Sequence, residues 1–288
     1  LLWDSFRTLA RLVSTIQNEL PQLDLRHRFH VDKVKKLATF IARNASSKKK
    51  ETQGEVKRQY TTLINRVRWI HGVGQQVCRR VVAAGCDVVE LSHYLPLVLR
   101  IVDQADRRII QDEKVPPDEK LYSLFEEHTE LIVRGKAGKP IEFGHKILIA
   151  QTGEKYIHHY NVMEKLIEDK ELLVPAIEAH KDLFGDYPDV LSTDKGFYES
   201  MKQIHSLEEI IPVVSISKKG RRTQAEVERE TTEAFIDGQR FRAGSEGSIS
   251  VLKRAFKLGK CFFKGFKNYA ASVGFAVLCH NLVLLTRL

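Results

Sequence analysis

The chain has 288 residues, 43% hydrophobic and 29% charged, an ordinary soluble globular composition with room for one large domain or two smaller ones. Its formal net charge of +9 suits a polyanionic partner, because Lys and Arg neutralise phosphates and release their counterions. The four cysteines, Cys78, Cys86, Cys261 and Cys279, form no CxxC pair, which excludes a zinc ribbon and a disulfide-stapled secreted fold and leaves a reducing, cytosolic setting.

Charge is unevenly spread. Residues 1–80 hold 17 Lys+Arg against 6 Asp+Glu, residues 121–238 hold 15 against 22, and residues 239–288 hold 9 against 1. An acidic middle that collects divalent metal, between basic flanks that hold phosphates, is the layout of DNA-cutting chemistry, although unrelated domains could share it.

In chain order, residues 1–117 are predicted to be helical. Leu2, Phe6, Leu9, Leu12 and Val13 recur at helical spacing. Leu1–Val13 reads as the middle of an apolar helix, so a longer parent protein is expected. Polar, Lys-rich Asn44–Gly54 reads as a loop. Val56–Val82 is a basic helix that could lie on DNA or face solvent. Gly72-Val73-Gly74 is too little for a nucleotide fingerprint, since no strand precedes it. Helical pattern resumes over Asp87–Arg108, and the Pro116-Pro117 pair marks a domain boundary.

From residue 118 the texture turns to strands: Leu121–Phe125, Gly144–Ala150 and, past a turn at Gly153, Tyr156–Val162, together an antiparallel meander. A helix over Glu171–Phe184, a strand over Asp189–Ser192, a helix around Tyr198–Ile204 and a strand over Ile211–Ile216 follow. Residues 218–239 read as an insertion. Arg240–Leu258 is a basic amphipathic helix. Tyr269–Leu285 is apolar but short for a membrane span and interrupted by His280 and Asn281, so a buried core helix and no membrane partner are expected.

Two residues carry the chemistry. Asp194, in LSTDKGF, stands at the C-terminal end of a strand, where open α/β sheets bind ligands, with Gly196 easing the turn beside it. Asp is equally at home as a helix N-cap. Glu246, in RFRAGSEG, is the one acid among residues 239–288, and Arg242, Ser250 and Lys253 share its helical face. It reads either as a surface ion pair or as a metal ligand whose neighbouring cations grip DNA.

The segments SLFEEHTELIVRGKAGKPIEFGHKILIA, LSTDKGF and RFRAGSEGSISVLKRAF together resemble bacterial insertion-sequence transposases of the acidic-triad (DDE) type. The predicted element order is that of a ribonuclease H-like fold: an α/β mixed sheet flanked by helices over 118–288, preceded by the all-helical region. The spacing of Arg242, Glu246 and Lys253 matches that family, whereas Gln239 stands where a tyrosine is usual, a departure that bears on fine DNA contacts.

The resemblance implies divalent-metal-dependent cleavage and strand transfer at the ends of an insertion sequence, on two Mg²⁺ ions (or Mn²⁺) held by three carboxylates. Asp194 and Glu246 would be two of them. The usual first-strand Asp is missing, and Glu126 is the leading candidate for the first acid, ahead of Glu130 and Glu127. Lys195, Arg242, Lys253, Arg254 and Lys257 would contact DNA. The implied partners are element ends and target DNA, bound by a homodimer in the bacterial cytoplasm. A nuclease without strand transfer, or a DNA-binding remnant with a decayed site, are the rival readings. His158 and His159 fall on opposite faces of a strand and cannot share a metal. His128, His145, Trp3 and Trp69 read as structural.

Overall fold

A computed structural model describes residues 1–136 and 139–287, the side chains of residues 134–140 excepted. The chain divides into two compact units, Leu1–Leu131 and Ile132–Leu288. It mixes helices with small sheets.

The first unit is built from α1 (Leu2–Glu19), α2 (Val31–Asn44), α3 (Lys50–Ala83) and α4 (Val89–Ala105). Phe6, Leu9 and Val13 on α1 are fully buried, as their spacing of three and four residues predicts. Along α3 the buried stripe runs through Leu63, Ile64, Val67, Ile70, Val77 and Val81. Gly74 lets α4 approach, since a β-carbon there would lie 2.9 Å from Leu95 Cδ2. The Lys-rich loop is shorter than predicted, because α3 already begins at Lys50.

The proline pair does not end this unit. Arg100 donates to the carbonyls of Asp118, Glu119 and Lys120. Gln104 exchanges two hydrogen bonds with the Leu121 backbone, and Leu121 and Leu124 are buried among the helices. Residues 121–125 are therefore irregular and not a strand. Their apolar side chains satisfy a helical core without pairing to a neighbour.

In the second unit the strands pair in twos, and no three-stranded meander forms among the described residues. Strand β1 (Glu130–Lys136) pairs with β2 (Lys139–Gly144). β3 (Ile147–Gln151) runs antiparallel to β4 (Ile157–Val162). β5 (Val190–Thr193) runs parallel to β6 (Val213–Ile216), with Thr193 opposite Ile216. Helix α5 (Asp169–Phe184) precedes β5, and α6 (Met201–Glu208) makes the crossover that a parallel pair requires. Their buried residues Leu173, Ile177, Ile204 and Leu207 join Val214 and Ile216 in one core.

The segment read as an insertion holds α7 (Gln224–Glu230) and the start of α8 (Glu233–Arg254). Thr223 and Glu226 cap α7 reciprocally. Its Glu226 carboxylate meets the Lys218 ammonium at 2.7 Å. Helix α8 begins and ends earlier than predicted, so Lys257 lies past its end at φ +60°.

Helix α9 (Phe266–Leu285) buries only one face, through Val273, Ala276, Val277 and His280. Phe275, Leu278, Leu282 and Leu285 are exposed. This corrects the expected core helix. By length and composition alone α9 could cross a membrane, with 22% of its apolar window buried. The two polar residues that interrupt it both meet the β3–β4 hairpin. Asn281 exchanges hydrogen bonds with the Ile157 backbone at 3.0 and 2.9 Å, and His280 lies 3.2 Å from the Lys155 carbonyl.

Candidate functional site

The site is assembled where α8 lies across the parallel strands. Ser215 on β6 donates to the Phe235 carbonyl at 2.7 Å. Ser192 on β5 donates to the Gly238 carbonyl at 2.6 Å. The Gln239 amide donates to the Ser215 carbonyl at 2.6 Å and reaches the Thr193 carbonyl at 3.4 Å. These contacts need small residues. A β-carbon at Gly238 would lie 2.6 Å from Ser215 Cβ and 2.8 Å from its Oγ, closer than side chains tolerate.

One turn further along α8, Arg242 reaches the end of β5. Its Nη1 donates to Asp194 Oδ1 and lies 3.8 Å from Glu246 Oε1. Contact with one shared nitrogen holds those two oxygens within about 7 Å of each other. Asp194 does not act as a helix cap. It occupies the N-cap position of the turn Lys195–Phe197, yet its side chain makes no capping hydrogen bond. Gly196 matters for close approach, because a β-carbon there would collide with the Asp169 carboxylate, which is held by Lys146 at 2.8 Å.

The two carboxylates are open to solvent, with side chains 69% and 74% exposed, while Arg242 is 24% exposed. The Arg242 Nε is buried and has no hydrogen-bond partner among the described residues. As placed, the Arg242 guanidinium stands between the two carboxylates and neutralises them, so the three groups form an ion-pair cluster, and a divalent cation would have to displace that guanidinium to use both carboxylates. Among the described residues no group of three or more His, Cys, Asp or Glu is placed to hold one.

The other expected site residues are more dispersed. Glu126 does not end a strand. It lies in the irregular segment of the first unit, and its Oε2 is 2.8 Å from His128 Nε2. Glu127 is 3.7 Å from His93 Nε2. Glu130 is the first residue of β1. Lys195, Lys253, Arg254 and Lys257 are exposed, and Lys253 lies seven residues past Glu246 on α8.

Sequence reasoning missed the residues that build the site: Ser192, Ser215 and Gly238, with Gln239 noted only as a departure. Their signal was weak, small polar residues on two strands and a glycine inside a helix. Elsewhere in the second unit, His158 on β4 packs edge-on against His180 of α5 at 5.0 Å between ring centroids. Burial, then the neighbouring His180 and His159, pushes the His158 imidazole down to about 4. No known protein family, curated protein or solved structure matches this chain.

Proposed function

We propose that this chain is the catalytic part of a DDE-type DNA transposase, cutting and joining DNA at the ends of an insertion sequence. The observation that carries the reading is the meeting of Asp194 and Glu246 at one Arg242 guanidinium, at the C-terminal edge of a parallel strand pair. The strand pairs are then parts of a ribonuclease H-like sheet. In this reading Glu126 supplies the first acid, with Glu130, which opens β1, as the alternative.

Two bound Mg²⁺ or Mn²⁺ ions would supply activation of the attacking hydroxyl and stabilisation of the leaving oxygen. Asp194 and Glu246 would be two of the carboxylates that hold those ions. Lys253 would bind a phosphate flanking the cut, and Arg242 would join it on leaving the Asp194 carboxylate that it holds. Lys195, Arg254 and Lys257 extend the basic track.

The test is strand transfer from a pool of 3′-hydroxyl duplexes into a supercoiled plasmid with Mn²⁺. Joined product is expected from the wild type and not from Asp194→Asn or Glu246→Gln. Product surviving in both variants would remove the catalytic assignment. Nicked plasmid without joined product would leave a nuclease. Glu126→Gln and Glu130→Gln, run alongside, assign the first acid to whichever abolishes the reaction.

A further inference from the structure

The first unit distributes its charge unequally. Of its 22 lysines and arginines, seven, all arginines, pair with acids among the described residues. Arg107 binds Glu113 and Glu119, each at 2.6 Å. Arg108 pairs with Asp112, Arg68 with Asp106, Arg11 with Glu90 and Arg7 with Asp4. The α2–α3 hairpin differs. Residues 31–83 hold 13 Lys+Arg against three acids, Asp32, Glu51 and Glu55, and no acid stands between Glu55 and Asp87.

On α2 the imbalance has a shape. Lys35, Lys36 and Arg43 are exposed and make no ion pair among the described residues. With Thr39, Phe40 and Asn44 they line a shallow groove of about 400 Å³. The opposite face of the helix is held in the core by Val34 and Ile41. The three cations are therefore fixed on one side of a rigid rod. Helical rise puts Arg43 about 12 Å along the axis from Lys35, a span over which a duplex presents several phosphates on each strand.

We propose that this face of α2 is a second nucleic-acid surface, one that grips the phosphate backbone of duplex DNA without reading its sequence. Its chemistry favours a duplex over a single strand. Single strands are held by stacking on exposed aromatics, and the one aromatic in the groove, Phe40, is half-buried. The surface shares the DNA partner of the transposase reading but does not depend on the Asp194–Glu246 chemistry.

The experiment measures binding of the full chain to a labelled random duplex in EDTA, as a function of salt. The wild type is compared with the triple variant Lys35→Gln, Lys36→Gln, Arg43→Gln, and with Arg108→Gln as a control for a paired cation. Losing three phosphate contacts should lower the slope of log affinity against log salt by about 3. Between 50 and 200 mM salt the wild type should then lose about 40-fold more affinity than the triple variant. Arg108→Gln should leave the slope unchanged. An unchanged slope in the triple variant, with matching thermal melts, overturns the proposal, as does tighter binding to a single-stranded oligonucleotide of equal length. Binding that behaves this way without strand transfer by any version would retain the surface and remove the transposase reading.

Discussion

Alanine at Gly238 is the sharpest test of how α8 seats on the strands. The added methyl would meet Ser215 Cβ at 2.6 Å and its Oγ at 2.8 Å. Ser215 is fully buried on β6, so it cannot swing aside. Overpacking of this kind costs about 1–3 kcal/mol. Breaking the Ser215 hydrogen bond to Phe235 adds about 1 kcal/mol. Against this, alanine gains about 1 kcal/mol of helix propensity over glycine. The net loss is about 2 kcal/mol, or roughly 4–8 °C in the melting of a unit of this size. Gly244 and Gly247 lie on the same helix, and among the described residues no atom stands within 4 Å of where a β-carbon would be. Alanine at either should raise the melting temperature by roughly 2–4 °C. Scanning calorimetry on the three variants decides the matter. If Gly238→Ala melts like Gly244→Ala, α8 does not pack as described, and the meeting of Arg242 with Asp194 loses its foundation.

Gln239→Ala removes donors to the Ser215 and Thr193 carbonyls and should cost about 1–3 kcal/mol in urea unfolding; a change under a few tenths would show that the amide is not a clamp. The His158 imidazole, held down to about 4 against an ordinary 6.5, binds protons more readily unfolded than folded. Its contribution is complete above pH 6.5 and is lost as pH falls towards 4, about tenfold in the folded-to-unfolded ratio per pH unit. His158→Phe should flatten the stability profile over that window, and an unaltered slope would count against the burial assigned to this ring. The Lys218 ammonium, then the Thr223 backbone N–H, holds the Glu226 carboxyl at about 2. That contribution is present above pH 4.5 and is lost as pH falls towards 2. Glu226→Gln should therefore be less stable than the wild type at neutral pH and converge with it in strong acid; parallel curves would refute the pairing.

Much of the fold is written in local pattern. Phe6, Leu9 and Val13 are spaced as a helix stripe and form one, and Gly153 stands in the turn between β3 and β4 as the alternation predicts. Leu121–Phe125 misleads for a physical reason. A short apolar run is compatible with a strand or with a segment laid on helices, and the deciding partners, Arg100 and Gln104, lie some twenty residues away. Within the site, the four-residue spacing of Arg242 and Glu246 is legible as one helix face. The link from Arg242 to Asp194 spans 48 residues, and no local pattern reports it. Only the resemblance paired those segments.

The order of contacts along α8 explains why the charged groups gather where they do. Phe235 meets Ser215, Gly238 meets Ser192 and Ser215, Gln239 meets Thr193, and Arg242 meets Asp194. The helix thus advances in the same direction as the strands beneath it. β5 spans four residues, about 13 Å, whereas α8 spans 22 residues, about 33 Å. The helix must outrun the strands. Phe235, Gly238 and Gln239 meet the strands as far as these reach, and the next residue on that face is Arg242. Glu246 follows one turn later in open solvent. The overhang places cation and carboxylates beyond the C-terminal edge of a parallel pair, where backbone no longer blocks a ligand. A helix that ended with the strands would have left Asp194 without a facing group, so the length of α8 is itself part of the site.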